Sequence, residues 1–326
     1  MRKRLTLLAL AAAVAGGALL LPVGGGPVDA PASLPPAPRL DLSAFSEAPP
    51  AAPVPLLFIH HSCGGQLLAP VGAEAEAARC IYTSHPNGGG LRPLLEAQGY
   101  TVNEASYGSA IGDETDLFDW LPKFRDQMEA VLRVARNDTP LPEGQRNEIV
   151  VFKSCYTQSE LEAGEGPGEP AGPALTVPNA KATLTGLLPH FQKRPDVLFV
   201  YLTSPPLAPA VAPVRAWKWL ARKVLGKPDE AERLREKGRL ARELATWVRS
   251  PEGWLAGYPL KNVVVFDYHD ILTGDGASDL LRYPPGEGRD SHPAAAGNDK
   301  AARAFVPFLN RALARHRASQ TPPSTP

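Results

Sequence analysis

The chain has little of what metal sites and nucleic-acid interfaces usually need. Only three of its 326 residues are cysteine, and no Cys-x-x-Cys or His-x-Glu spacing of zinc ligands occurs. The adjacent His60 and His61 would point to opposite faces of a strand, so one ion could not bind both. Basic and acidic residues number 34 each, which leaves no basic excess for nucleic acid. We therefore expect no metal, no cofactor and no nucleic-acid partner.

The one long apolar run stands at the start of the chain. Residues 2–4 are Arg-Lys-Arg, and residues 5–23 are almost wholly apolar, as in an export signal. The run is also close to the length that spans a bilayer, so an uncleaved anchor is the alternative. No cysteine follows it, which argues against a lipoprotein. Residues 1–30 are predicted to be a signal peptide or membrane anchor. The protein is then periplasmic, extracellular or tethered to the outer face of the cytoplasmic membrane.

Two further segments carry no apolar periodicity. Residues 31–54 are rich in proline and alanine, a composition that predicts a disordered, extended linker. Residues 317–326 are predicted to be a disordered tail. The region between them, residues 55–316, is long enough for one catalytic domain, and we expect it to be a monomer.

Within that region, short β-branched strand patterns alternate with helix patterns. This alternation indicates βαβ units and an α/β fold. We predict a three-layer α/β/α sandwich of the flavodoxin-like kind, with a mainly parallel five-stranded sheet and right-handed crossovers. The order 2-1-3-4-5, which flavodoxin-like sheets have, is assumed for its strands. The predicted strands span 56–59, 101–105, 148–152, 197–202 and 262–267, and the predicted helices span 91–98, 118–136, 180–191, 229–248 and 294–316.

A serine and two glycines stand where the first predicted strand ends. Ligands of open α/β sheets bind beyond the carboxyl ends of the strands, which is the place of Ser62. Gly64 and Gly65 would let backbone N–H groups turn toward a substrate oxygen, with Cys63 beside them. A serine hydroxyl needs a base to become a nucleophile. His292 is the candidate base, and Asp290, two residues earlier, can hold its other ring nitrogen.

These residues resemble the SGNH branch of the GDSL hydrolases. In that family a serine follows the first strand, a glycine the second and an asparagine the third, and Asp-x-His or Asp-x-x-His precedes the last helix. Ser62 matches the nucleophile, His292 the base and Gly108 the glycine whose N–H joins an oxyanion hole. The family's Gly-Asp-Ser is replaced by His-His-Ser at 60–62. The third block, residues 152–159, lacks the asparagine, for which Gln158 is the candidate substitute.

The two histidines and Lys153 stand close to the predicted nucleophile in the sequence or in the predicted sheet. We expect His60 to pack beneath the sheet and His61, at the place of the family's aspartate, to hydrogen-bond the active-site loops. Lys153 follows the third predicted strand and is a candidate for binding a substrate carboxylate, although most lysines at such positions are only solvated.

The cysteines leave three possibilities open. With the strand order given above, Cys63 and Cys155 follow neighbouring strands, and an oxidising compartment would allow a disulfide between them. Cys80 is a competing partner for Cys63, and three unpaired cysteines are the third possibility. A nucleophilic Cys63 is an alternative to Ser62.

An aromatic and basic segment precedes the fourth predicted helix. It contains Trp217 and Trp219 among the basic residues Arg215, Lys218, Arg222 and Lys223. A lid over the pocket, a surface for an anionic membrane and a plain packed helix all agree with this composition.

The resemblance implies an exported serine hydrolase of SGNH type that cleaves carboxylic esters without a cofactor. Its substrate would be a small-molecule or glycan ester, with acyl or acetyl groups on glycans as candidates. A non-catalytic glycan-binding relative is one alternative, because the third-block asparagine is missing. An acyltransferase acting on a cell-envelope polymer is the other.

Overall fold

The computed structural model describes residues 20–35, 38–172 and 174–320. Most of the predicted signal or anchor therefore lies outside the described residues. Within these ranges, no helix combines the length and the apolar character needed to cross a bilayer. The strands are β1 (Pro22–Val23), β2 (Gly26–Pro27), β3 (Val54–Ile59), β4 (Ala75–Ala78), β5 (Ile81–Ser84), β6 (Tyr100–Ala105), β7 (Val134–Arg136), β8 (Thr139–Pro140), β9 (Ile149–Phe152), β10 (Leu198–Leu202), β11 (Ala210–Val211), β12 (Val214–Arg215) and β13 (Val263–Phe266).

Nine α-helices and one 3₁₀ turn are present among the described residues. They are α1 (Ser62–Leu68), α2 (Leu91–Ala97), α3 (Trp120–Asp126), α4 (Met128–Leu132), α5 (Val177–Gln192), α6 (Ala216–Val224), α7 (Glu230–Arg249), α8 (Tyr268–Leu272) and α9 (Ala295–Gln320), with a 3₁₀ turn over Tyr156–Ser159. Asp229 begins α7 with a capping box, in which its carboxylate accepts from the N–H of Glu232 and the Glu232 side chain accepts in return from the N–H of Asp229.

The central sheet has seven strands in the order β13-β10-β9-β3-β6-β7-β8. Strands β13 to β6 in this order are parallel to one another, so the order assumed for the five predicted strands, 2-1-3-4-5, is the observed one. The predicted number of five strands is wrong, because β7 pairs in parallel with β6 and β8 returns antiparallel to β7.

The extra strands come from a segment that was predicted to be helical. The helix pattern over 118–136 ends at Leu132, and the chain turns back between Arg136 and Thr139. Asn137 has φ of 49°, a left-handed conformation that asparagine tolerates in two-residue hairpins. The local turn and the pairing with β6 therefore override the helical periodicity.

Helices cover both faces of the sheet. Along β3, Leu56 and Phe58 belong to one core cluster, which includes Leu95 of α2 and Phe305 of α9. Leu57 and Ile59 belong to a second cluster, which includes Trp120 of α3, Leu184 of α5 and Leu244 of α7. Side chains of a strand alternate between faces, so β3 is apolar along its length because both faces are covered.

The segment before the domain follows a defined path across it. Strands β1 and β2 pair antiparallel with β12 and β11, and Val28 and Leu42 are buried. The N–H of Ser33 donates to the carboxylate of Asp279 at 3.0 Å. This differs from the disordered linker that the composition of residues 31–54 predicts. A proline- and alanine-rich segment lacks periodicity, but a few side chains and backbone groups suffice to hold it against a preformed surface.

The predicted tail also begins inside regular structure. Helix α9 continues to Gln320, so residues 317–320 are helical, and residues 321–326 lie outside the described residues.

A buried network of charges joins α7 to the end of β13. Arg242 donates to Asp270 at 2.8 Å, to Asp279 at 3.2 Å and to the Thr273 hydroxyl at 2.6 Å. Arg249 bridges Asp267 at 2.7 Å and Asp270 at 3.2 Å. These side chains are almost fully buried.

Burial and the nearby arginines shift the pKa values of the two carboxylates in opposite directions. Burial alone would raise the pKa of Asp270, but the charges of Arg249, Arg39 and Arg242 outweigh it and lower the pKa. Burial raises the pKa of Asp267 in spite of the nearby Arg249.

We predict that Arg242→Ala lowers the free energy of unfolding by about 3–5 kcal/mol, because the buried carboxylate of Asp279 loses its arginine and Asp270 loses one of three. Arg239→Ala is the matched control on the same helix, since Arg239 is exposed and pairs with Glu236. We expect the control to cost less than about 1 kcal/mol. Urea unfolding followed by circular dichroism measures both, and equal losses would contradict this account of the network.

Candidate active site

Ser62, His292 and Asp290 come together beyond the carboxyl end of β3. The hydroxyl of Ser62 lies 2.8 Å from Nε2 of His292, and Nδ1 of His292 lies 2.7 Å from Oδ1 of Asp290. Because the carboxylate can only accept, Nδ1 carries the proton and Nε2 is left to accept from the serine hydroxyl. This is the hydrogen-bond order that activates a serine.

The loop that carries His292 is held by local bonds. Oδ1 of Asp290 also accepts from the backbone N–H of His292 at 2.9 Å, and the hydroxyl of Ser291 accepts from the N–H of Ala208 at 2.8 Å. Tyr156 packs edge-on against the His292 ring. Burial would raise the pKa of Asp290, but the hydrogen bonds from the backbone N–H and the ring of His292 lower it. The carboxylate therefore stays ionised at neutral pH.

The glycines after Ser62 have a different role from the one predicted. The N–H groups of Gly64 and Gly65 donate to the carbonyl of His61 at 2.9 and 3.0 Å, so neither is directed at a substrate. A Cβ on Gly64 would lie 2.3 Å from Cβ of His60, and one on Gly65 would lie 1.9 Å from the carbonyl oxygen of Cys80. These glycines let α1 approach β3 and the β4–β5 hairpin closely.

The two predicted oxyanion donors outside this helix are engaged elsewhere. The N–H of Gly108, at φ of 81°, donates to the carboxylate of Asp113 at 2.8 Å. Oε1 of Gln158 accepts from the N–H of Leu117, and its side chain also hydrogen-bonds Asp116. Both residues stabilise the loop between β6 and α3 in this structure.

The backbone N–H groups of Ser62 and Cys63 are the donors that remain. They stand in the first turn of α1, where helical N–H groups have no partner within the helix. Among the described residues, no acceptor bonds either of them. Among the residues predicted to donate to the oxyanion, Cys63 is thus the one whose N–H is unbonded and adjacent to Ser62. The N–H of Ser62 itself was not predicted, although a helix that begins at the serine would have indicated it.

The two histidines before Ser62 occupy different environments. His60 is buried, with Nδ1 donating to the carbonyl of His61 at 2.8 Å and Nε2 lying 2.8 Å from Glu104. Arg92 binds the other oxygen of Glu104. His61 hydrogen-bonds the hydroxyl of Thr115 and stacks on Tyr107, with ring centroids 4.0 Å apart. Both expectations for the histidines are confirmed.

The cysteines are thiols in this structure. Sγ of Cys63 lies 3.4 Å from Sγ of Cys155, which in turn lies 3.9 Å from the hydroxyl of Ser62. Cys155 rather than Cys80 is therefore the neighbour of Cys63, without a disulfide. Burial raises the pKa of the Cys63 thiol, whereas the hydrogen bond between the two sulfur atoms lowers the pKa of Cys155.

Lys153 is buried beneath the site and does not reach solvent. Among the described residues, no acceptor bonds its Nζ. The predicted contact with a substrate carboxylate does not fit this position, because the side chain has no accessible surface. The positive charge of Lys153 acts instead on buried neighbours, including His61.

Comparisons with known proteins give one structural likeness. No family model matches the chain, and no curated protein matches it. The crystal structure of a "putative acylhydrolase" from Bacteroides fragilis is similar over 83% of this chain and 93% of its own, with 12% identity and a TM-score of 0.39. At that score the likeness adds nothing to the geometry described above.

The buried His61 gives a prediction for pH. Burial lowers its pKa to about 3, and the charge of Lys153 acts in the same direction. Between that pH and about 6.5 the unfolded chain binds one more proton here than the folded protein does. Stability is therefore complete above about pH 6.5 and falls as the pH decreases, by about 1.4 kcal/mol per pH unit for this residue.

We predict that His61→Gln flattens the pH dependence of unfolding by about that slope between about pH 4 and 6. His190→Gln is the control, because His190 is only half-buried and should change the slope less. Urea unfolding at several pH values measures the slopes. An unchanged slope in His61→Gln would show that His61 is protonated in the folded protein.

Proposed function

We propose that this chain is a serine hydrolase of the SGNH/GDSL type that cleaves carboxylic esters. The observation that carries the proposal is the continuous line of hydrogen bonds from Asp290 through His292 to Ser62, at 2.7 and 2.8 Å. A buried strand end, a serine and an oriented imidazole are the parts that acyl transfer needs.

In the proposed reaction, Nε2 of His292 takes the proton of Ser62 while Oγ attacks the ester carbonyl. The N–H groups of Ser62 and Cys63 would donate to the oxyanion that forms. His292 then gives its proton to the leaving alcohol oxygen, the C–O bond breaks and an acyl-Ser62 remains. Water repeats the sequence, with His292 taking its proton, and releases the carboxylic acid and free Ser62.

Export and the substrate class belong to the same proposal. The basic residues 2–4 and the apolar run 5–23 support export. The balanced charge of the chain agrees with a neutral acyl or acetyl ester on a glycan or small molecule. Glycan binding without turnover and transfer of the acyl group to a polymer are the outcomes that would replace hydrolysis.

We predict that a fluorophosphonate labels Ser62, as read by peptide mass mapping. Ser62→Ala should abolish both labelling and hydrolysis of p-nitrophenyl esters, because among the described residues no other hydroxyl hydrogen-bonds His292. Cys63→Ala should keep the label, which separates the serine from the neighbouring cysteine. Label on another serine, or full activity in Ser62→Ala, would contradict the assignment. Acetate release from acetylated glycans then tests the substrate class.

We predict that Asp290→Asn lowers kcat about 10²-fold and changes KM little. The interaction with His292 strengthens mainly in the transition state, when the ring becomes charged. The loss should be smaller than the roughly 10⁴-fold known for the buried aspartate of Ser-His-Asp proteases. The Asp290 carboxylate is 54% exposed, and water screens its charge. Asp299→Asn, an exposed carboxylate on α9, is the control and should match the parent protein. A kcat within a small factor of the parent would mean that another group orients the ring.

A further inference from the structure

Helix α6 is an amphipathic helix without a buried face. None of its residues is buried. Trp217, Trp219 and Leu220 are 44%, 39% and 48% exposed, and Val224 and Leu225 are 77% and 67% exposed. Large apolar side chains at such exposure are rare on a protein that has no partner for them. A plain packed helix was one of the three possibilities that the composition allowed. The structure shows the helix on the surface instead.

The end of the apolar N-terminal run adds to this surface. Leu20 and Leu21 are each 60% exposed, and the carbonyl of Leu21 accepts from the N–H of Ala216 at 2.9 Å. The pairing of β1 with β12 holds them beside the start of α6. Of the ten large apolar side chains that are exposed among the described residues, seven belong to Leu20–Leu21 and residues 217–225.

The same surface carries positive charge. Residues 212–228 contain five basic residues and no acidic one, although the chain as a whole is neutral. Lys218 and Lys223 lie over the rings of Trp217 and Trp219, at 5.6 and 5.9 Å from the ring centroids. Tryptophan rings beside lysine and arginine are typical of a helix that lies in a membrane interface.

We propose that α6 together with Leu20–Leu21, here called the interfacial surface, lies in the interface of an anionic lipid membrane. Its apolar side chains would enter the boundary between headgroups and acyl chains, and its basic side chains would contact lipid phosphates.

Two observations favour a membrane over a second copy of this chain. The cluster of basic residues would meet its own like charges in a symmetric dimer, which opposes association. The apolar residues 5–19 directly precede Leu20 in the sequence, so a membrane that takes up that stretch would reach the interfacial surface.

The test uses the full chain with vesicles whose acyl chains carry bromine, which quenches tryptophan fluorescence at short range. Of the five tryptophans, Trp120 and Trp254 are buried and Trp247 packs partly buried against the core, so Trp217 and Trp219 should supply most of the quenched signal. With vesicles containing phosphatidylglycerol we expect strong quenching, and about threefold less in Trp217→Phe/Trp219→Phe. Because residues 1–19 remain in every variant, the readout reports on α6 and not on attachment of the chain.

The charge requirement is tested by Lys218→Glu/Lys223→Glu, which should quench about threefold less and lose its dependence on salt. Arg303→Glu, an exposed residue of α9, is the matched control and should quench as the parent does. If quenching by phosphatidylcholine vesicles alone equals that by the anionic vesicles, or if the lysine variant quenches as the parent does, the proposal of an anionic membrane is wrong. No quenching, with a dimer that dissociates in Trp217→Phe/Trp219→Phe, would assign the interfacial surface to a second copy.

Discussion

The parallel pairing of β3 with β6 on one side and β9 on the other is the constraint on which the site depends. Residues 56–59 are in register with both neighbours, so the three strands end at one edge of the sheet. Ser62, the loop after β6 and the segment of Lys153 to Cys155 all follow these ends. His292 comes from 230 residues further along the chain and reaches Ser62 because the loop before α9 returns to the same edge.

Beneath Ser62, polar groups replace the usual apolar packing. The ring of His60 bonds the carbonyl of His61 and the carboxylate of Glu104, and Arg92 binds the same carboxylate. Gly64 packs directly on His60. A buried polar network of this kind lowers the stability of the fold when one member is missing. When all members are present, their hydrogen bonds hold one geometry. It therefore fixes the direction in which α1 leaves the strand, and with it the position of the Ser62 hydroxyl.

The insertion between β10 and α7 connects the candidate active site to the interfacial surface. Ala208 and Ala210 donate to Ser291 and to the carbonyl of Gly288, on the loop that carries Asp290 and His292. A few residues further on, the same insertion forms α6. The proposed membrane contact and the orientation of the imidazole thus share one segment, which would place an ester at the membrane surface within reach of the site.

The sequence by itself determined the α/β class, the places of the five central strands and the choice of Ser62, His292 and Asp290 as candidate catalytic residues, because apolar runs, strand ends and the spacing of Asp290 and His292 are local signals. Only the tertiary structure decided the other features. Strands β7 and β8 exist because β6 offers an edge, and Gly108 and Gln158 are engaged because the loop before α3 folds back on them. Lys153 is buried because β9 is central, and the buried Arg242 network unites distant segments. Each of these features depends on which surfaces meet after the sheet has formed, and no local sequence pattern predicts those contacts.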